Sequence, residues 1–230
     1  MTGPGLRVGV ATAVVLVLLG RGHAPAAQSV PVASVRGRVS IGIPVSTRRP
    51  TNAYSRAAQS TSALAPPSEL TNVIVYLKDA PPQVVRPGKA EVRQIGETFI
   101  PRAVAVTVGS EVSFPNDDPF YHNVFSLSRP RTFDLGRYPH GQTRSVKFDK
   151  PGLVRVFCQI HSHMSASVMV FSHPWYAVPD AEGRFSLADV PAGTRELTAW
   201  HERLGETTLS VRLDAGRSST VEFVLPVPRQ

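Results

Sequence analysis

The chain has 230 residues with 42% hydrophobic and 18% charged side chains, a globular composition that argues against disorder and suffices for one or two packed cores. Its 21 prolines and 17 glycines interrupt the chain too often for long helices and favour many short strands. The formal net charge is +8, but the basic residues do not form a stripe with interleaved aromatic residues, so nucleic-acid binding is not predicted.

The N-terminal stretch has the three-part layout of a secretory signal. Arg7 precedes an apolar run from Val8 to Leu19, and small residues follow as far as Ala24-Pro25-Ala26. A membrane span needs about 20 apolar residues, and this run is shorter. Residues 1–26 are therefore predicted to be a signal peptide, with a retained N-terminal anchor as the alternative. The signal predicts an exported protein of the periplasm or cell envelope.

After the signal, the patterns along the chain are those of strands. Residues 34–41 alternate apolar and polar side chains, residues 46–68 read as a flexible loop rich in Ser, Thr, Ala, Pro and Arg, and residues 72–77 form a β-branched apolar run. Further strand-like pieces, separated by turn residues, occupy residues 100–108, 111–114, 145–148, 153–157, 167–171, 183–187, 195–200, 207–213 and 219–225. This spacing predicts an all-β protein built from sandwiches.

Two domains are predicted from these strands. The C-terminal strands are too few for a core of their own, and the two strands before residue 80 bring the number to what a small sandwich needs. We therefore predict a split domain of residues 34–87 plus 172–230, into which a second domain of residues 88–171 is inserted.

The only cysteine, Cys158, has no disulfide partner within the chain, which is unusual in an exported protein. It opens the stretch Cys158-Gln159-Ile160-His161-Ser162-His163-Met164, where a strand is expected to run out into a loop. Thiolate, imidazole and thioether at this spacing suit copper bound by two histidines and a cysteine with a weak axial methionine. His122, at another junction of strand and loop, offers the second imidazole. The predicted copper ligands are His122, Cys158, His161 and Met164.

Two alternatives stay open at this site. His163 is a second candidate that would replace His161 or Met164 as a ligand. In the other reading, Cys158 and Met164 are ordinary core side chains and the histidines around them are surface residues. That reading requires two unrelated coincidences of residue type and spacing, and it leaves an unpaired thiol in an oxidising compartment without a reason.

Other polar residues are given no chemical role. Asp117 and Asp118 lie in a turn flanked by prolines, where capping of backbone N–H groups is favoured over acid–base work. Three histidines lack a partner at ligand spacing and are predicted to be solvated or hydrogen-bonded: His140, His173 and His201.

The two metal-binding motifs resemble those of the cupredoxin family, in particular its plastocyanin and amicyanin branch. In that family a His-Asn pair follows a strand of the form Gly-x-x-Val-x-Phe/Trp-x-Asn. Here residues 109–116 read Gly-Ser-Glu-Val-Ser-Phe-Pro-Asn, and His122-Asn123 follows. The family's second motif, Cys-x-x-His followed by Met, is present in its short variant from Cys158 to Met164. The resemblance covers roughly residues 88–171.

The cupredoxin resemblance implies a Greek-key β-sandwich with one type 1 copper site. It makes His122 and His161 the equatorial nitrogen ligands, Cys158 the thiolate ligand and Met164 the axial thioether. Asn123 would tie the two ligand loops together. The chain departs from the family at Gln159, where a Ser or Thr often follows the cysteine, so that tie is expected to be remade or missing.

The flanking segments resemble a carboxypeptidase regulatory-like domain, which is a transthyretin-like β-sandwich. The residues that carry this resemblance are Val35-Arg36-Gly37-Arg38-Val39, residues 72–77, residues 180–185 and Val190-Pro191-Ala192-Gly193. Such domains are generally non-catalytic modules, so the resemblance implies a role in binding a partner. Together the two resemblances imply two β-sandwiches, one cupredoxin-like and the other transthyretin-like and split.

The sequence thus predicts an exported type 1 copper protein that is not an enzyme, because a site with four protein ligands leaves no position open for substrate. One-electron transfer, with a cytochrome or dehydrogenase as redox partner, is the first hypothesis. An envelope copper carrier or storage protein with a copper-exchange partner is the second, and a surface-binding module with structural copper is the third. The basic balance suits an acidic partner or association with the anionic envelope surface.

Overall fold

The computed structural model describes residues 31–42 and 69–225, so the predicted signal peptide and the predicted loop at residues 46–68 lie outside the described residues. The described part contains seventeen strands and one short 3-10 helix, Glu69–Asn72. The strands are β1 (Val32–Ile41), β2 (Val73–Leu77), β3 (Lys89–Glu91), β4 (Arg93–Gln94), β5 (Phe99–Ile100), β6 (Ala103–Thr107), β7 (Ser110–Pro115), β8 (His122–Ser128), β9 (Arg131–Tyr138), β10 (Thr143–Phe148), β11 (Gly152–Phe157), β12 (Ser165–Phe171), β13 (Tyr176–Ala177), β14 (Arg184–Pro191), β15 (Gly193–His201), β16 (Gly205–Leu213) and β17 (Ser218–Leu225).

Apart from the 3-10 helix, the described part of the chain is all β, as the sequence predicts. In residues 31–42 and 69–225, no helix has the length and apolar character that a membrane crossing requires.

The middle of the chain forms a sandwich, here called the inner sandwich, from strands β3 to β12. One sheet has the strand order β10-β7-β3, and the other has the order β6-β12-β11-β8-β9. Side chains from both sheets meet in one core, which includes Val112, Phe114, Phe148 and Val156, all fully buried or nearly so. Burial of each such side chain stabilises the fold by about 1.5–3 kcal/mol before entropy is counted.

The rest of the described chain forms the outer sandwich, from β1, β2 and β13 to β17. Its sheets have the orders β14-β1-β17 and β13-β2-β15-β16, and they share a second core. In the middle strand of the first sheet, a Cβ on Gly37 would lie 2.3 Å from the carbonyl oxygen of Val221 and 2.5 Å from the ring of Phe185. Only glycine fits there, which explains a glycine inside the strand.

The two cores are made by separate stretches of the chain. Every residue of the inner core lies between Val92 and Val170, whereas the outer core takes its residues from before and after that stretch. The domain boundaries at residues 87/88 and 171/172 stay a prediction. The chain passes between the sandwiches twice, and the two passing segments are joined by a hydrogen bond of 2.8 Å from the Gln83 N–H to the Ser172 carbonyl.

The sandwiches also meet through a small apolar cluster and a group of charges. The apolar cluster contains Ile74 from the outer sandwich and Ala103, Met169 and Phe171 from the inner sandwich. Beside it, the carboxylate of Glu69 forms salt bridges with Arg102 of the inner sandwich and with Arg203 of the outer sandwich, the latter at 2.6 Å.

His201 belongs to the same charged group and is fully buried. Its Nδ1 accepts the N–H groups of Arg203 and Leu204 at 3.2 Å, so its Nε2 carries the proton and donates to Glu69 at 3.3 Å. Burial lowers the pKa of His201, and burial alone would raise the pKa of Glu69, but Arg102 and Arg203 hold the carboxyl pKa below its usual value. An ionised Glu69 thus links the sandwiches.

Strands β8 and β9 are not predicted by the sequence pattern, although they carry part of the candidate site. They form an antiparallel hairpin with Arg131 opposite Ser128, and β8 also pairs with β11. Serines and arginines break the apolar alternation of both strands, and Pro130 lies between them. His122 is the first residue of β8, so the strand follows the histidine and the loop precedes it.

His173, which lies where the chain returns to the outer sandwich, makes the stability depend on pH. Its ring is 6% exposed, stacks on Trp175 and accepts the Trp175 N–H at Nδ1, and burial lowers its pKa to about 4. Between pH 6.5 and 4, His173 is protonated in the unfolded chain and neutral in the folded chain. The contribution of the neutral ring to the unfolding free energy is therefore complete above pH 6.5 and is lost as the pH falls. We expect the loss of unfolding free energy between these pH values to reach roughly 3 kcal/mol.

Urea unfolding of the wild type and of His173→Gln, which keeps an acceptor, measures this effect between pH 7.5 and 4. The variant should lose less unfolding free energy than the wild type across that range. Parallel pH profiles for the two proteins would contradict the assignment.

Candidate metal centre

The predicted ligands come from two neighbouring places at one end of the inner sandwich, the turn between β11 and β12 and the start of β8. Cys158 directly follows β11, Met164 directly precedes β12, and His161 lies in the turn between them. The turn is closed by backbone hydrogen bonds from Cys158 N–H to the Met164 carbonyl at 3.3 Å and from Met164 N–H to the His161 carbonyl at 3.0 Å. Because β8 runs antiparallel to β11, His122 at the start of β8 arrives beside the end of β11.

Three donor atoms form a small triangle. The Nδ1 atoms of His122 and His161 are 3.0 Å apart, and the Sγ of Cys158 lies 3.8 Å from the first and 3.9 Å from the second. His122 and Cys158 are buried and His161 is half-buried. Met164, 1% exposed, shares the inner core with Cys158. The structure therefore brings three predicted ligands together and places the fourth in the same closed turn.

The triangle has the size that a single transition-metal ion requires. Bonds of about 2.0–2.1 Å to nitrogen and about 2.3 Å to sulfur, in a near-trigonal arrangement, separate two nitrogens by roughly 3.0–3.5 Å and nitrogen from sulfur by roughly 3.7–3.9 Å. The observed separations fall within these ranges. One thiolate with two imidazoles is also the donor set that copper favours in a trigonal site. The residues present thus fit a copper ion.

Charges and hydrogen bonds favour the thiolate form of Cys158. Burial alone raises the pKa of this thiol, but contacts with His122 and with backbone N–H groups, including that of His161, hold it below its usual value. Burial alone lowers the pKa of His122, but Asp118 and Cys158 outweigh burial and raise it to about 9. Burial and the neighbouring His122 lower the pKa of His161. The thiolate is the form that binds metals.

Asn123 joins the two ligand loops. Its Oδ1 accepts the backbone N–H of Gln159 at 2.8 Å, and its Nδ2 donates to Asp134 at 2.8 Å. Because the tie uses the backbone of residue 159, the absence of a Ser or Thr at this position does not remove it. The segment after Cys158 is thereby fixed to the start of β8.

Asp118 has a role that the sequence does not reveal. It caps backbone N–H groups, as predicted for this turn, by accepting from Gly96 at 2.6 Å and from Glu97 at 2.8 Å. It also accepts a hydrogen bond from Nε2 of His122 at 2.8 Å. Burial alone would raise the pKa of Asp118, but His122 and the two N–H groups hold it below its usual value. The one signal in the sequence is an aspartate four residues before a candidate ligand.

His163 lies at the rim of the site, outside the triangle. Its Nε2 is 3.5 Å from a carboxylate oxygen of Glu97, and its ring centre is 6.2 Å from that of His161. The rim also carries exposed apolar side chains. Phe120 lies 5.5 Å from the His161 ring, and Tyr121 and Ile160 are exposed nearby in sequence.

Comparison with known proteins gives matches among solved structures alone, since no family model and no curated protein matches the chain. The chain is similar to a novel purple cupredoxin from Nitrosopumilus maritimus, with 20% identity over 36% of this chain and 99% of that chain and a TM-score of 0.33. It is similar to amicyanin from Paracoccus versutus, with 19% identity over 42% of this chain and 97% of that chain and a TM-score of 0.34.

A third similar structure is the copper-containing nitrite reductase of Thermus scotoductus SA-01, with 23% identity over 48% of this chain and 28% of that chain and a TM-score of 0.36. Likeness at this level assigns no family. The resemblance of the outer sandwich to a carboxypeptidase regulatory-like domain stays a prediction. The donor atoms of His122, Cys158 and His161 remain the ground for inferring copper.

Proposed function

We propose that the protein is a type 1 copper protein that transfers single electrons and is not an enzyme. The observation that supports this is the triangle of one cysteine sulfur and two histidine nitrogens, with sides of 3.0, 3.8 and 3.9 Å. His122, Cys158 and His161 would hold one copper ion, with Met164 as the axial ligand. Bound copper supplies the change between Cu(I) and Cu(II).

The surroundings of the triangle suit electron transfer better than catalysis. His122 is fully buried, Cys158 is 3% exposed and Met164 is 1% exposed, so these side chains keep water and small molecules away. Packing and the Asn123 tie hold the loops in place, which favours a small rearrangement between two oxidation states. His161 is the half-buried residue of the triangle, so its ring is the proposed path for an electron between the copper and the protein surface.

The rim around His161 suggests a protein partner. Phe120, Tyr121 and Ile160 are 38%, 57% and 39% exposed, and exposed apolar side chains near a site favour docking of another protein. A redox protein such as a cytochrome or a dehydrogenase is the proposed partner. The proposed location is the periplasm or cell envelope, on the basis of the signal-like residues 1–26.

Loading of the purified protein with Cu(II) tests this proposal. We expect one copper per chain, an intense visible band from thiolate-to-copper charge transfer, and reversible bleaching and recovery when ascorbate and then ferricyanide are added. A colourless copper complex contradicts the type 1 site. A protein whose copper cannot be cycled but which, when loaded with Cu(I), passes that Cu(I) to a second apoprotein supports the copper carrier instead.

The axial role of Met164 can be tested with a matched pair of substitutions. Met164 and Met169 are both buried, but Met169 lies in the apolar cluster between the sandwiches. Met164→Leu should shift the visible band and raise the reduction potential, because an apolar side chain replaces a weak axial donor that tunes the metal. Met169→Leu should leave both unchanged, and each swap should cost less than about 1.5 kcal/mol of stability. Equal spectra for the two variants would remove Met164 from the ligand set.

A further inference from the structure

Asp118 presents a negatively charged oxygen to the rear of the buried ligand His122. The distance from Oδ2 of Asp118 to Nε2 of His122 is 2.8 Å, while the opposite nitrogen, Nδ1, faces Cys158 and His161. A neutral imidazole has one donor and one acceptor nitrogen, and a carboxylate can only accept. In the neutral ring that binds a metal, the contact therefore keeps the remaining proton on Nε2 and leaves the lone pair of Nδ1 toward the other two donors.

The hydrogen bonds around Asp118 require an ionised carboxylate, in which both oxygens accept. Its two oxygens receive three N–H groups, from Gly96, Glu97 and His122. A protonated carboxyl would direct its own O–H at one of these donors. Asp118 is only 4% exposed, so water does not offer a substitute partner.

A dedicated hairpin holds the carboxylate in this position. Strands β4 and β5 are two residues each, and the turn between them has left-handed backbone at Gly96 and Glu97, with φ of 60° and 53°. This backbone aims two successive N–H groups at one carboxylate. The Asp118 N–H also donates to the Asn116 side chain at 3.0 Å, so the residue is fixed from both sides.

We propose that Asp118 is a positioning residue of the metal site, which fixes the orientation and the Nε2–H tautomer of His122 and strengthens Nδ1 as a donor. Carboxylates that accept from a metal-bound histidine act in this way on other metals. This inference rests on the proposed function for its redox consequence: a stronger donor stabilises Cu(II) relative to Cu(I), so Asp118 lowers the reduction potential. The positioning itself applies to any ion held by the triangle.

Asp118→Asn is the direct test. The amide has one acceptor oxygen and one NH₂ donor, so it must point a donor at Gly96, Glu97 or His122. With its nitrogen beside Nε2, the amide moves the ring proton to Nδ1, which faces the metal; with its oxygen there, it is a neutral and weaker acceptor than the carboxylate. We expect Cu(I) affinity to fall about 10- to 100-fold and the reduction potential of the loaded variant to rise.

Asp117→Asn is the matched control. It makes the same chemical change one residue earlier, where the carboxylate pairs with the exposed side chain of Arg93 at 2.7 Å. Its Cu(I) affinity and reduction potential should equal those of the wild type. If Asp118→Asn behaves like this control, or lowers only the stability, the positioning role is wrong.

Nuclear magnetic resonance of the wild type loaded with Zn(II) tests the role without a variant and without redox chemistry. We expect a slowly exchanging Nε2–H on His122 and ¹⁵N shifts of a ring bound through Nδ1. An unprotonated Nε2 would overturn the proposal, whether or not Asp118→Asn folds. Failure of the proposed function has a different signature, because a protein without a coloured, redox-active copper complex can still show the Zn(II)-bound Nε2–H.

Discussion

Cys158→Ser is expected to abolish the intense visible absorption of the copper-loaded protein and to weaken Cu(I) binding more than about 100-fold, since loss of a ligand exceeds the loss of an outer hydrogen-bond partner. The band arises from charge transfer from the thiolate to copper, and a serine hydroxyl is neither soft nor ionised at neutral pH. The Sγ of Cys158 is the donor common to both longer sides of the triangle. Titration with Cu(I) against a chelator and visible spectroscopy measure the two effects.

The fold should survive this substitution, because serine is similar in size to cysteine at a site that is 3% exposed. Urea unfolding of the metal-free variant checks this point. Ser162→Ala changes an exposed residue of the same turn and should keep the colour and affinity of the wild type. If Cys158→Ser stays coloured, the sulfur is not a ligand and the proposed function fails.

Glu69→Gln should cause the largest loss of stability outside the metal centre, roughly 3 kcal/mol. Its carboxylate pairs with Arg102 and Arg203 and accepts from the fully buried His201. Removal of one partner from a buried group of charges leaves the other charges uncompensated, which costs about 3–5 kcal/mol at complete burial. The Glu69 and Arg102 side chains are 18% and 23% exposed, so the lower end of that range is expected.

Urea unfolding of the wild type, Glu69→Gln and Glu182→Gln measures this difference. Glu182 pairs with Arg184 on the open surface, with 57% and 67% of the side chains exposed, and such pairs contribute about 0–1 kcal/mol. Amide hydrogen exchange should rise at β2 and β6, where the sandwiches meet. Equal stability of the two variants would show that the Glu69 charges do not hold the sandwiches together.

The sequence predicts the strands best where alternation of apolar and polar residues is regular. β1, β7 and β10 alternate buried and exposed side chains, and the predicted runs lie within the observed strands. β8 and β9 escape prediction because serines replace apolar residues in β8 and because β9 is an edge strand with few buried positions. The place of β8 is decided by its pairing with β11, and that of β9 by its pairing with β8, and no local pattern expresses either pairing.

The residues of the metal centre likewise fall into those that the sequence reveals and those that it does not. Cys158, His161 and Met164 share one short turn, so their spacing reveals them, and His122 is revealed by residue type and motif. The contact of Asp118 with Gly96 and Glu97 joins residues more than twenty positions apart, and the contact of Glu69 with His201 spans 132 positions. Such contacts depend on how the sheets are assembled and are visible only in three dimensions.

The two passages between the sandwiches lie at the end of β12 that is remote from the metal centre. β12 leaves the ligand turn at Ser165 and ends at Phe171, beside the hydrogen bond between Gln83 and Ser172. Both covalent connections to the outer sandwich therefore lie on the side of the inner sandwich away from the metal centre. The two connections also lie close together, since the Leu77 N–H donates to the Trp175 carbonyl at 3.0 Å. A short turn joining these two residues would give an outer sandwich without the inner one, and another domain could be inserted at the same position.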